Sequence, residues 1–299
     1  MTFARRALLL ICLLLAGCGA PPTLPPPSPP TGAPAGPTLI SGPAPTPTRV
    51  PLSNPTPAAI LEEPEPTATY TPAPAPVNLP LERIALFDPG PGSQVTSPFE
   101  ISGRAGPSFN ERVHVRLLGE DGRVLAQRTT YLNTLRGYAG PFSTELIFNI
   151  PGVAEAGRLE LSTDDRRSGR MAHLQTLDLV LLAAGAPLVH PGAQGPEQLA
   201  ILAPRDGAGV RGGRFATRLA GWTQRGQGLT LALFDSGGAP LSVQTVYPLP
   251  GGIGETGVVE AEVAYEVPYE QYGRLALYEL AEDGLNYLHY TSIEIYLRH

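Results

Sequence analysis

From Glu82 onward the chain divides into two stretches of about a hundred residues that match each other. Ile84-Ala85-Leu86-Phe87-Asp88-Pro89-Gly90-Pro91-Gly92-Ser93-Gln94-Val95 aligns with Leu199-Ala200-Ile201-Leu202-Ala203-Pro204-Arg205-Asp206-Gly207-Ala208-Gly209-Val210. Val113, Val115 and Leu117 align with Leu229, Leu231 and Leu233. Leu146, Phe148, Ile150 and Pro151 align with Val263, Tyr265, Val267 and Pro268. Gly157 aligns with Gly273, and Leu177, Leu179 and Leu181 with Ile293, Ile295 and Leu297. The offset stays at 115 to 117 throughout. Register held over about a hundred residues reads as a tandem duplication, so the fold must be one that about a hundred residues build twice.

Within each copy, about seven short apolar runs of period two are separated by Gly, Pro or Asp clusters. Val259, Ala261, Val263, Tyr265 and Val267 fall on one face of such a run, and Glu260, Glu262 and Glu266 on the other. This alternation suits strands with one buried face. Asp121-Gly122 and Ser236-Gly237-Gly238 read as hairpin turns. No segment carries a helical apolar stripe. The expected fold class is all-β: two tandem immunoglobulin-like β-sandwiches after a disordered Pro-rich stalk.

The N-terminus reads as an address. Arg5 and Arg6 precede an apolar run from Ala7 to Leu15, too short for a lasting membrane span. Leu15-Ala16-Gly17-Cys18 resembles the bacterial lipobox, in which the signal is cut before the cysteine and that cysteine carries the lipid. Cys12 then leaves with the signal peptide and Cys18 is lipidated. No thiol remains for a disulfide, a metal or a nucleophile, so core packing alone must stabilise the folded part. From Pro21 to Pro80 lie 21 of the 35 prolines. That composition builds no core and favours polyproline II, with a reach of roughly 190 Å if fully extended. The expected organisation is a signal peptide at 1–17, lipidated Cys18 and stalk at 18–81, a sandwich at 82–182, a linker at 183–197 and a second sandwich at 198–299.

The segment Pro89-Gly90-Pro91-Gly92-Ser93-Gln94-Val95-Thr96-Ser97-Pro98-Phe99-Glu100-Ile101-Ser102-Gly103-Arg104-Ala105 resembles the immunoglobulin-like domain of bacterial spore-germination-type lipoproteins. Phe109-Asn110-Glu111, Pro141-Phe142 and the acidic hairpin Asp164 to Gly169 continue the resemblance. The second copy is more divergent: it keeps Pro204, Gly207, Val210 and Phe215 but lacks Ser-Pro and Pro-Phe. The resemblance implies a germination-related role and no catalytic activity.

The net charge of −6, with every basic residue an arginine, is poor for binding nucleic acid. The missing lysine removes the P-loop and Schiff-base chemistries. The five histidines form no metal-binding spacing, and no cofactor or metal is expected. Glu260 and Glu262, about 7 Å apart on a strand, have a glycosidase-like separation but lie on a solvated face. Asp164, Asp165, Glu282 and Asp283 lack an ordered calcium-ligand spacing. Eight of the eleven tyrosines fall in the second copy. The loops Tyr131–Gly140 and Tyr247–Gly257 occupy matching places in the two copies. The candidate ligand-binding residues are therefore Arg136, Tyr138, Tyr247, Tyr269, Tyr272 and Tyr287. The expectation is a membrane-anchored, non-catalytic binding or scaffolding protein outside the cytoplasm. Its expected partners are the membrane, through the lipid, and a cell-wall glycan or envelope protein. A glycan-active enzyme and a structural spacer are the alternatives.

Overall fold

The computed structural model describes residues 78–249 and 254–299. Cys18, the signal peptide, nearly all of the stalk and the tip of the loop after Tyr247 lie outside the described residues. Strands β1 (Ile84–Asp88), β2 (Gln94–Thr96), β3 (Phe99–Ala105), β4 (Arg112–Leu118), β5 (Val124–Tyr131), β6 (Gly140–Leu146), β7 (Ala154–Asp164) and β8 (Met171–Leu182) come first. They are followed by β9 (Leu199–Ala203), β10 (Gly209–Val210), β11 (Arg214–Gly221), β12 (Leu229–Phe234), β13 (Pro240–Val246), β14 (Gly257–Ala264), β15 (Gln271–Leu280) and β16 (Tyr287–Leu297). Among the described residues the one helical element is a 3-10 turn at Phe109–Glu111.

In the first sandwich, sheet β1-β3-β6 packs on β5-β4-β7-β8, with β2 added parallel to β8. The second follows the same plan: β9-β11-β14 packs on β13-β12-β15-β16, with β10 parallel to β16. Period-two alternation produces this arrangement. Along β6, Gly140, Phe142, Thr144 and Leu146 point inward and their neighbours outward. Ile84, Ile101 and Phe142 of one sheet meet Val115, Leu117, Leu159 and Leu181 of the other. Leu199, Leu219 and Val263 meet Leu231, Leu275 and Ile295 in the second core. Each fully buried aliphatic side chain contributes about 1.5–3 kcal/mol, enough to replace a cross-sheet disulfide. Gly157 and Gly273 recur for one reason: a Cβ would lie 2.6 Å from Leu181 Cγ at the first and 2.7 Å from Leu297 Cδ1 at the second.

The segment expected as the linker, 183–197, is laced along the first sandwich. Leu188 and Gln94 exchange backbone hydrogen bonds of 2.8 and 2.9 Å, and the amide of Gly192 donates to Phe87 O at 2.7 Å. Glu82 N donates to Gly195 O at 3.0 Å.

A seam that the sequence pattern did not announce joins the sandwiches. β8 and β16 pair antiparallel, Leu174 opposite Tyr290 and His173 opposite Thr291. The large sheets thus run on as β13-β12-β15-β16-β8-β7-β4-β5. Leu174, Ala276 and Tyr290 form a third apolar cluster there, with Met171, Phe234, Tyr278 and Tyr287 against it. Thr176 Oγ1 donates to Leu288 O at 2.9 Å across the junction.

Candidate anion-binding cleft

Three loops at one end of the first sandwich enclose a cleft of about 600 Å³. The first runs from Gly106 to Glu111, between β3 and β4. Ser108 is 2% exposed, and its Oγ accepts the Asp164 amide at 3.0 Å. Asn110 (φ 54°, ψ 32°) and Glu111 (φ 54°) both adopt the left-handed conformation. For Glu this costs on the order of 1–3 kcal/mol. Three bonds hold it there: Glu111 N donates to Ser108 O at 3.1 Å, Leu132 N donates to Glu111 O at 2.8 Å, and the carboxylate accepts Gly137 N at 3.0 Å.

That last bond brings in the second loop, between β5 and β6, which carries Arg136. Gly137 (φ 85°) is where the third loop closes on it: a Cβ there would lie 2.7 Å from Arg166 Nη2. The third loop is the β7–β8 hairpin. Asp165 Oδ1 accepts the amides of Arg167 and Ser168, both at 2.9 Å. The Phe109 ring covers Gly169 (φ 65°), 3.6 Å from where a Cβ would sit. The Phe-Asn-Glu segment and the acidic hairpin, far apart in sequence, are therefore two walls of one cleft.

The carboxylates of the cleft are already engaged. Asp164 Oδ2 pairs with His114 Nε2 at 2.8 Å. Asp206 lies 3.6 Å from Arg167 Nη2 and accepts Glu294 N at 2.9 Å. Burial acts to raise the pKa of Asp165, but the amides of Ser168 and Arg167 and the Arg274 guanidinium outweigh it, and the net shift is downward. Its charge is thereby fixed in the hairpin. Arg83, Arg136 and Arg166 line the cleft, are exposed, and make no ion pair among the described residues. A guanidinium with free N–H groups binds carboxylate or phosphate oxygens in a two-pronged fashion. The cleft thus offers three unpaired guanidinium groups to a ligand, in a lining that holds four arginines and four carboxylates.

Of the sequence candidates, Arg136 lines this cleft and Tyr138 projects from the same loop, 64% exposed. The others lie elsewhere. Tyr247 lines a small cavity with Trp222 and Pro248. Tyr269 is exposed beyond β14. The Tyr272 ring packs 5.1 Å from that of Tyr296. Tyr287 stands edge-on to Tyr278 and Tyr290 at 5.1 and 5.3 Å, as part of the seam. Pattern reading missed Arg83 and Arg166, since isolated arginines in turns carry no motif. Glu262 pairs with Arg214 at 3.3 Å on the outer face. Asp283 caps its own turn through the amides of Leu285 and Asn286. Among the described residues no three His, Cys, Asp or Glu side chains converge as metal ligands.

The lining of the cleft, Ala172 and Asp206 apart, falls within one stretch that matches a known family. Residues 83–170 match the immunoglobulin-like domain of bacterial spore germination (Gmad2). The Gmad2 match covers under a third of the chain and ends at the hairpin, so β8 and the second sandwich lie beyond it. Similar solved structures include the ICAM-5 D1–D4 ectodomain fragment, at 17% identity over 72% of this chain and 54% of that one, with a TM-score of 0.22. Dimeric latent PorU from Porphyromonas gingivalis aligns at 12% identity over 72% and 24%, with a TM-score of 0.23. Red sea bream transglutaminase aligns at 10% identity over 72% and 31%, with a TM-score of 0.24. The chain spans about half of the first structure and less of the other two. No curated protein matches the sequence.

Proposed function

We propose that this protein is a lipid-anchored, extracytoplasmic binding module with a germination-related role, whose Gmad2 domain holds a phosphate- or carboxylate-bearing component of the cell envelope. The observation that carries this reading is the cleft in which Arg83, Arg136 and Arg166 are unpaired while every carboxylate has a partner. The lipobox at Leu15–Cys18 and the proline-rich stalk supply the tether. The two sandwiches, joined through the β8–β16 pairing, carry the cleft at one end of the first.

The role is binding rather than catalysis because the buried carboxylates serve as bond acceptors. Burial raises the pKa of Glu82, Glu160 and Glu279. Glu160 meets Arg116 at 3.2 Å, and Glu279 accepts the Gln224 amide at 3.1 Å. Glu82 accepts the Gly195 amide at 3.2 Å. Groups committed in this way are poorly placed to move protons on a substrate.

Two outcomes test the reading. Cys18→Ser should move the protein from the membrane to the soluble fraction on cell fractionation; retention in the membrane would refute the lipid tether. A photoreactive residue at position 138, beside the cleft, should capture an anionic polymer or an acidic protein segment in living cells. Capture of nothing would favour the spacer, and capture of a cleaved glycan would favour the enzyme.

A further inference from the structure

A shallow cavity of about 120 Å³ opens on the second sandwich beside the loop after β13. Trp222, Thr223, Gln227, Tyr247, Pro248 and Leu249 line it. A Cβ on Gly228 would lie 2.8 Å from Tyr247 Cε1 and 2.9 Å from Cζ. The Tyr247 ring therefore rests on the Gly228 backbone, yet it stays exposed, as does Leu249. Among the described residues Trp222 bonds through its backbone to Gln198, and its indole N–H makes no hydrogen bond. The volume is below the roughly 300–1,000 Å³ that encloses a small ligand. It suits side chains laid across an aromatic rim, with the indole N–H, the Thr223 hydroxyl and the Gln227 amide as donors.

A polyproline II segment meets these requirements. It has no internal hydrogen bonds, so its carbonyls are free to accept, and its rings pack in aromatic-lined grooves. The chain carries such a segment close by: Pro72-Ala73-Pro74-Ala75-Pro76 lies just ahead of Asn78, the first described residue. Adjacent residues tie the end of the stalk to the cavity. Glu197 N donates to Pro80 O at 2.8 Å, and the carbonyl of Gln198 accepts Trp222 N at 3.1 Å. Two strand spacings and one residue step thus separate Pro80 from Trp222, roughly 15 Å at most. At about 3.1 Å per residue, Pro72 to Pro76 spans a similar length. Charge agrees as well. From Pro66 to Leu81 the sequence holds no charged residue, and Glu255 is the one charged residue in the cavity lining.

We propose that Pro72–Pro76 folds back on the second sandwich and lies against Trp222 and Tyr247 as a polyproline II strap, which fixes the end of the stalk to the body it carries. Trp222 is the single tryptophan of the chain, so its emission reports on this face alone. Acrylamide quenching is measured on the full chain, on a Pro72→Gly, Pro74→Gly, Pro76→Gly variant, and on a Pro43→Gly, Pro45→Gly, Pro47→Gly control. All six substitutions lie outside the sandwiches, so both folds survive them. A tether this short holds the segment at an effective concentration on the order of millimolar, so even a millimolar affinity fills half the sites and shields Trp222 about twofold. Quenching should therefore rise at least about twofold in the 72–76 variant and stay unchanged in the 43–47 control. A peptide spanning Tyr70 to Val77 should restore the protection in the 72–76 variant. Equal quenching of all three chains, or a peptide without effect, would overturn the proposal. Protection that grows with protein concentration would overturn it too, because the occupant would then be the stalk of a second copy.

Discussion

Arg274→Ala is expected to lower the melting temperature by roughly 10 °C, from a loss of about 3 kcal/mol. Arg274 sits on β15 opposite Glu294, 5% exposed. Its Nη1 donates to Ser292 Oγ at 2.8 Å, and its Nη2 to Ser168 Oγ at 2.6 Å and Glu294 Oε1 at 3.4 Å. Asp165 Oδ1 lies 3.7 Å from Nη2. One guanidinium of the second sandwich thus anchors the β7–β8 hairpin of the first. Removing it leaves Glu294, itself buried, with only Arg167 at 3.6 Å. The internal control is Arg158, which meets Asp178 at the corresponding register of the first sandwich. Asp178 is 71% exposed there, so Arg158→Ala should cost less than about 1 kcal/mol. Scanning calorimetry of the two variants distinguishes the cases. Similar small shifts would mean that the seam does not bury Arg274. Because Arg274 holds Ser168 and Asp165, the same variant should also loosen the arginine cleft.

The second large effect is on acid stability. His289 is buried in β16, and Gln224 Nε2 donates to its Nε2, which fits a neutral ring. Burial, then the nearby His173 and Arg158, push its pKa down to about 3. The unfolded chain takes up this proton near pH 6.5, whereas the folded chain resists until about pH 3. Between these values the unfolded state binds more protons, so stability falls as pH falls, by about 1.4 kcal/mol per unit. Glu82 and Glu279, whose values are raised chiefly by burial, act oppositely: folded, they gain protons first, so mild acid favours the folded state through them. The difference between chains isolates the histidine. His289→Gln should lose about 3 kcal/mol less than the unsubstituted chain between pH 7 and pH 4, read from urea unfolding. Parallel stability curves would show that His289 does not carry the effect.

Much of the fold is legible in the sequence because alternation is a local signal. Val113, Val115 and Leu117 face the core as their spacing requires, and Gly122 and Gly238 take the positive φ their hairpins need. The seam is not legible in this way. β8 contains His173, Gln175 and Thr176, and β16 contains His289, Thr291, Ser292 and Glu294, all residue types that normally mark a solvated face. Here these residues, which fall on both faces of their strands, are largely buried beside the other sandwich, and contacts such as Thr176 to Leu288 O and Arg274 to Ser292 hold them. Only the length of these strands, which outrun most of their neighbours, hints at a second packing partner. The cleft divides in the same manner. Phe109-Asn110-Glu111 and Asp164 to Gly169 stand out as family-like segments, and Arg136 through its loop. Their convergence depends on contacts such as Glu111 to Gly137 and Phe109 over Gly169, which pair residues tens of positions apart. The tyrosines divide because aromatic rings serve cross-strand packing as readily as binding: Tyr287 packs with Tyr278 and Tyr290, while Tyr138, Tyr247 and Tyr269 stay exposed.

The central claim is that the Gmad2 cleft binds an anionic ligand through arginines that have no partner of their own. The direct measurement is calorimetric titration of the chain with polyphosphate, and separately with polyglutamate, against the Arg83→Ala, Arg136→Ala, Arg166→Ala triple variant. All three side chains are exposed, so the fold should survive their removal. The account requires affinity that weakens with added salt and falls at least about tenfold in the triple variant. Equal binding by the two proteins, or no binding of either polymer by the unsubstituted chain, would contradict it.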